Sequence, residues 1–135
     1  MHEAGHVVVA RALGLKTRAM IAGIDGDDTK GKADIENSSH LSVVDRIAIC
    51  AAGMQAQEML DIATYEVAGL SDEVKIANIV EDYDDEERET LRDKGFTKAW
   101  EALEVHRSTV ERLAAALAEV GELDHAAIER IIADV

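Results

Sequence analysis

Three side chains near the start of the chain have the types and spacing for hydrolytic chemistry. In HEAGH, His2 and His6 are four residues apart, and Glu3 stands between them. On a helix that separation is about 400° of rotation and about 6 Å of rise, so both imidazoles leave one face. Two imidazoles so placed can share one Zn²⁺ at bond lengths near 2.1 Å. Glu3 need not ligate. Beside the ion's open position it can take a proton from water and later protonate a leaving amine. Helical Cβ atoms lean toward the helix N-terminus, so all three side chains reach toward the helix start. Gly5 is expected to leave space there for a substrate backbone. HExxH also occurs in helices that bind nothing, and helix context is what makes it specific. Here the apolar run VVVA follows at once and supplies the buried face that a metal helix needs. His40, His106 and His125 have no ligand-spaced partner and read as surface or helix-end residues.

Two histidines make half a site. A third ligand must come from elsewhere, an acid or another histidine. With 28 acids in the chain, counting does not choose one.

The elements that must position these groups are mostly helical. The 135 residues suit one domain, 1–135, with a real core. Hydrophobic residues make up 47% and aromatics only 3%, and proline is absent, so the core is built from Ala, Val, Ile, Leu and Met on helices. HEAGHVVVARALG reads as a helix ending at Gly14. TRAMIAGI (17–24) reads as a short strand, DGDDTKG (25–31) as a turn, and KADIE as a returning strand. A buried helix is expected from about Ser39 to Ile62, with Ser42 and Asp45 as a capping box. TYEVAG breaks the pattern, and Ser71 then caps a third helix. EDYDDEERETLRD (81–93) reads as a solvated helix end or loop. A fourth helix is expected from Phe96 to Val120, ending at Gly121, and Asp124 caps a short last one. The fold class is mainly α with a small β-hairpin or edge strand.

A net charge of −14 disfavours nucleic acid and anionic membrane as partners. Cys50, the one cysteine, reads as a buried small hydrophobe. No signal peptide or long apolar stretch is present in the sequence, which reads as soluble and cytoplasmic.

HEAGHVVVARALG resembles the zinc helix of the peptidase domain of FtsH-type AAA proteases. VVDRIAICAAGMQAQEML (43–60) is similar to that family's Gly-Arg-Ala-Ala-Glu-Glu helix at Gly53, Ala56 and Glu58, and departs from it at Met54, Gln55 and Gln57. GLSDEVKIANIV (69–80) resembles its Gly-Ala-Ser-Asn-Asp segment, and LAAALAEVGELDHAAIERII (113–132) its last helix pair. The resemblance runs in order along nearly the whole chain. It implies a helical zinc-metallopeptidase domain with one Zn²⁺. The family's third ligand, the final Asp of Gly-Ala-Ser-Asn-Asp, falls on Glu73 in an ungapped match, with Asp72 as the substitute if the helix start shifts. The family also carries sequence ahead of HExxH, where only Met1 stands here. On that expectation His2 lies in an uncapped first turn, at the wrong end of the helix dipole for a cation, and zinc binding is weak or partial.

The expected function is zinc-dependent cleavage of unfolded proteins or peptides. The strand at 17–24 or its partner would hold substrate by backbone pairing. No P-loop signature is present in the sequence, so cleavage needs no ATP. The family's unfolding motor would be a separate ATPase partner, and the resemblance leaves a homo-oligomer open. The alternative is a catalytically impaired or non-enzymatic metal-binding domain of the same fold. Glu3 favours the enzyme, because metal binding alone does not require it.

Overall fold

The computed structural model describes residues 2–22, 32–60 and 66–133. The expected turn at 25–31 lies outside them, as do Ile24, Asp61, Ile62 and the first residues of TYEVAG. Among these residues, six helices and a three-stranded sheet follow in the order α1 (His2–Ala12), β1 (Thr17–Ile21), β2 (Lys32–Ile35), α2 (Val43–Met59), α3 (Glu66–Ile79), α4 (Asp85–Val105), α5 (Arg107–Val120), β3 (Glu122–Asp124) and α6 (His125–Ala133). The chain is mainly α with a small antiparallel sheet. No helix among the described residues is long and apolar enough to cross a membrane.

α2 is the central element. Ser42 caps it by accepting from the Asp45 N–H at 3.2 Å, and Ile47, Ala48, Ala51 and Ala52 are fully buried along it. α1, α3 and α4 pack around it. Small residues let α1 and α2 approach closely. A Cβ on Gly5 would stand 2.5 Å from the Ala52 carbonyl oxygen and 2.7 Å from the Ala56 Cβ. Gly5 is therefore the helix-packing contact, not room for substrate as the sequence suggested. α1 ends where expected, at Gly14 with φ +88°.

The sheet order is β2-β1-β3. β1 pairs antiparallel with β2 (Met20 opposite Ala33) and with β3 (Met20 opposite Leu123). Met20 and Leu123 turn inward onto the core. β3 had no signal of its own, being three residues that run from just after the Gly121 helix stop to the Asp124 cap. That cap is present: the Asp124 carboxylate accepts from the Ala127 N–H at 2.8 Å.

Three helix boundaries differ from expectation. The charge run is the solvated start of a helix, one of the two forms expected, and carries the helix start back from Phe96. Asp84 accepts from the Glu87 N–H at 2.8 Å, and α4 begins there with three acids in its first turn, favoured by the helix dipole. The expected helix 96–120 is two helices, divided at His106, where neither Gly nor Pro marks the break. α3 starts at Glu66, so Ser71 lies inside the helix and does not cap it.

Candidate metal centre

The site is assembled where the first turn of α1 meets α2 and α3. His2 and Glu3 are buried although they open the helix, and Asp72 of α3 is buried opposite them. The two imidazoles meet edge-on, with centroids 4.7 Å apart and planes at 74°.

Each imidazole is oriented through its Nδ1. His6 Nδ1–H donates to the Ile49 carbonyl oxygen at 2.7 Å. His2 Nδ1–H donates to Gln57 Oε1 at 2.8 Å, and Gln57 is itself buried. A carbonyl oxygen only accepts, so these bonds place the protons on Nδ1 and leave each neutral ring a lone pair on Nε2. The spacing on α2 is regular. Ile49, Gly53 and Gln57 recur at four-residue intervals, so they lie along one face of the helix. Gly53 is the gap between the other two. A Cβ there would stand 2.5 Å from His2 Nε2 and 2.6 Å from its Cε1.

Both Nε2 atoms point at one oxygen. Asp72 Oδ2 is 2.7 Å from His2 Nε2 and 3.2 Å from His6 Nε2, and the three atoms lie within 4.8 Å of one another. Three lone-pair donors converging in a buried space repel one another unless positive charge sits among them. A proton supplies that charge in part. Burial alone would lower the His2 pKa, but hydrogen bonds to Asp72 and Gln57 outweigh it and leave the value raised. Burial would raise the Asp72 carboxyl, but hydrogen bonds from His2 and His6 hold it well below the usual carboxylate range. A metal ion supplies the charge more fully. Two imidazole nitrogens and one carboxylate are a donor set suited to Zn²⁺ with a position left open, and the Nδ1–H bonds are the outer contacts that metal-bound histidines usually make. The residues therefore fit the ion.

The carboxylate beside the histidines is Asp72. Glu73, expected there from the ungapped match, instead receives Arg92 Nη1 and Nη2 at 2.5 and 2.6 Å. Arg92 also lies over the Phe96 ring, 4.4 Å from its centroid. The phase of α3 explains the correction. Among its described positions Asp72 and Ile76 are buried, Val80 just beyond its end continues that four-residue row, and Glu73 is about 100° round the helix from it. Glu73 therefore faces α4.

Glu3 shares the site without joining the trio. Burial pushes its carboxyl pKa up, the charges of His2 and His6 pull it down, and the net shift is upward. It lines an open cleft of about 460 Å³ together with His2, His6 and Asp72. Ala33 and Ile35 of β2 form another wall. β1 is paired on both sides, so of the two expected strands only β2 presents an edge, and no strand among the described residues covers it. Cys50 is half-buried: it packs against the core, in part as the sequence suggested, and also lines this cleft. His40, His106 and His125 are exposed and not part of the trio; His125 Nδ1–H donates to the Thr17 carbonyl oxygen at 2.9 Å.

No protein-family model matches the chain, and no curated protein sequence matches it. Function is therefore read from the site itself.

Proposed function

We propose that the chain is a zinc-dependent peptidase that hydrolyses unfolded proteins or peptides, with His2, His6 and Asp72 holding one Zn²⁺ and Glu3 acting as general base. The observation that carries this is the convergence of two Nδ1-anchored imidazoles and Asp72 Oδ2 on one point. That arrangement opens on a cleft lined by Glu3. The resemblance of HEAGHVVVARALG and the later segments to FtsH-type peptidase domains supports the same reading.

The ion, when bound, supplies the Lewis acidity that lets water attack a carbonyl at neutral pH. This chain's residues do the rest. Gln57 and the Ile49 carbonyl fix the rings, so that Nε2 and not Nδ1 is offered. Glu3, buried and raised in pKa, accepts the water proton and returns it to the leaving amine. The β2 edge offers backbone N–H and C=O groups to an extended substrate, which orders it along the cleft. An extended segment is available only in an unfolded chain or peptide, so hydrolysis of these needs no ATP.

The competing reading, a metal-binding domain that cleaves nothing, uses the same trio but leaves Glu3 without a task. Metal analysis of the purified protein, followed by incubation with an unstructured protein with and without chelator, separates the two. The peptidase reading expects about one zinc per chain and chelator-sensitive cleavage. Zinc without cleavage would leave only the binding domain, and no zinc would remove both.

A further inference from the structure

We infer that Lys32 and Lys75 form a carboxylate-binding subsite beside the metal centre, so that the preferred substrates are peptides presenting a carboxylate next to the bond to be cut. This rests on the peptidase reading above and adds the substrate class. Lys75 is on α3, one turn after Asp72, and the two share a helix face. Helical side chains lean toward the N-terminus, so the Lys75 stem leans back over the turn that carries Asp72. Lys32 opens β2, the edge strand on another wall. Both line the cleft that holds His2, Glu3 and His6.

The charge balance of the cleft gives these lysines their role. Its acids are already engaged or buried. Asp72 is held by both histidines, Glu36 accepts from the Lys16 N–H at 3.0 Å, and Glu3 is buried at the base. Among the described residues neither Lys32 nor Lys75 has an ion-pair partner, unlike Arg11, Arg18, Arg88, Arg92, Lys98 and Arg107; Lys16, Arg46, Lys94 and Arg130 share that state but do not line the cleft. On a chain of net charge −14, most of the surface repels acidic peptides. In the cleft two exposed lysines without an ion-pair partner share the lining with the trio. A carboxylate completes them, and it can come from an Asp or Glu side chain or from a free C-terminus.

The test uses the full chain carrying Glu3→Gln, zinc-loaded and checked for metal content, so that peptide is bound without being turned over. Three labelled peptides of otherwise identical neutral sequence are compared by fluorescence anisotropy at low salt. One carries a central Glu and an amidated end, one a central Gln and a free C-terminal acid, and one a central Gln and an amidated end. At least one carboxylate peptide should bind about fivefold more tightly than the neutral one, the upper range for an exposed ion pair. Whichever does so identifies the carboxylate's source. Adding Lys32→Gln and Lys75→Gln, both at exposed positions that leave the core untouched, should erase the preference. Equal affinity for all three peptides, no binding of any, or a preference that survives the double substitution would overturn the subsite. Cleavage by the unaltered protein is scored separately. Preference without cleavage sinks the hydrolase and keeps the subsite, and cleavage without preference sinks the subsite alone.

Discussion

Gly53 lies directly under the His2 imidazole, so close that a methyl group at position 53 would stand 2.5 Å from His2 Nε2. The atom it would strike is the one aimed at Asp72. Gly53→Ala should therefore swing His2 out of the trio. Overpacking of a close-packed site costs about 1–3 kcal/mol, and a displaced ligand should weaken zinc at least tenfold. Zinc titration and thermal melts of the variant check this. Parent-like affinity would show that the ring does not need the space Gly53 leaves.

How much of this was legible in the sequence follows the same residues. HEAGH gave the histidine pair and Glu3, because four-residue spacing on a helix fixes a shared face whatever surrounds it. Gly53 and Ala56 were visible as small residues, but not what they pack against, because close approach of α2 to α1 is a tertiary relationship. Gln57 registered only as a departure from a family pattern, although Ile49, Gly53 and Gln57 already formed a four-residue row. The carboxylate beside the histidines was misplaced because an ungapped match was followed in preference to periodicity. The row Asp72, Ile76, Val80 was present in the letters and would have selected Asp72. β3 was not legible, since three residues in a sheet are held by β1 and not by their own propensity. The division at His106 had no breaker residue to announce it.

Asp72 and Glu73 give opposite expectations. Asp72→Ala should abolish tight zinc binding, with a loss beyond the 10–100-fold that disturbing even an outer contact costs. Glu73→Gln should keep zinc. It breaks only the half-exposed pair with Arg92, worth under about 1 kcal/mol. Metal content and melting of both variants decide it. Loss of zinc from the Glu73 variant alone would return the ligand to position 73.

The metal-free protein should lose stability as pH rises. His2 has a raised folded-state pKa. Its contribution is complete below the unfolded value of about 6.5 and disappears as pH climbs through the raised one. Glu3, also raised, adds to that slope at lower pH. Asp72 is depressed, so its contribution is present above about pH 3.9 and fades only as pH falls through its lowered value. The melting temperature without metal should therefore fall as pH rises above about 6.5. Zinc requires the same Nε2 lone pairs, so its affinity should increase over the same pH range with proton release. Melts with and without saturating zinc, across that range, test the sign. A metal-free melting temperature that stays flat or rises would mean that the trio is not held by protons.

Glu3→Gln should keep zinc and lose cleavage. The trio does not include Glu3, so metal content should stay at the parent level. Gln keeps the shape and the burial but has no basic lone pair at neutral pH. General-base catalysis is worth about 10²–10⁴-fold, so kcat on an unfolded substrate should fall by that much. Removing a buried carboxylate whose pKa is pushed up by burial should also leave stability unchanged or slightly higher. A drop in activity caused by misfolding would therefore be exposed by a lower melting temperature. The parent and variant are compared for zinc per chain, melting temperature and rate on one unstructured protein. Cleavage at the parent rate would remove Glu3 from the mechanism. Loss of zinc together with activity would recast Glu3 as a residue that holds the metal site and does not act on the water.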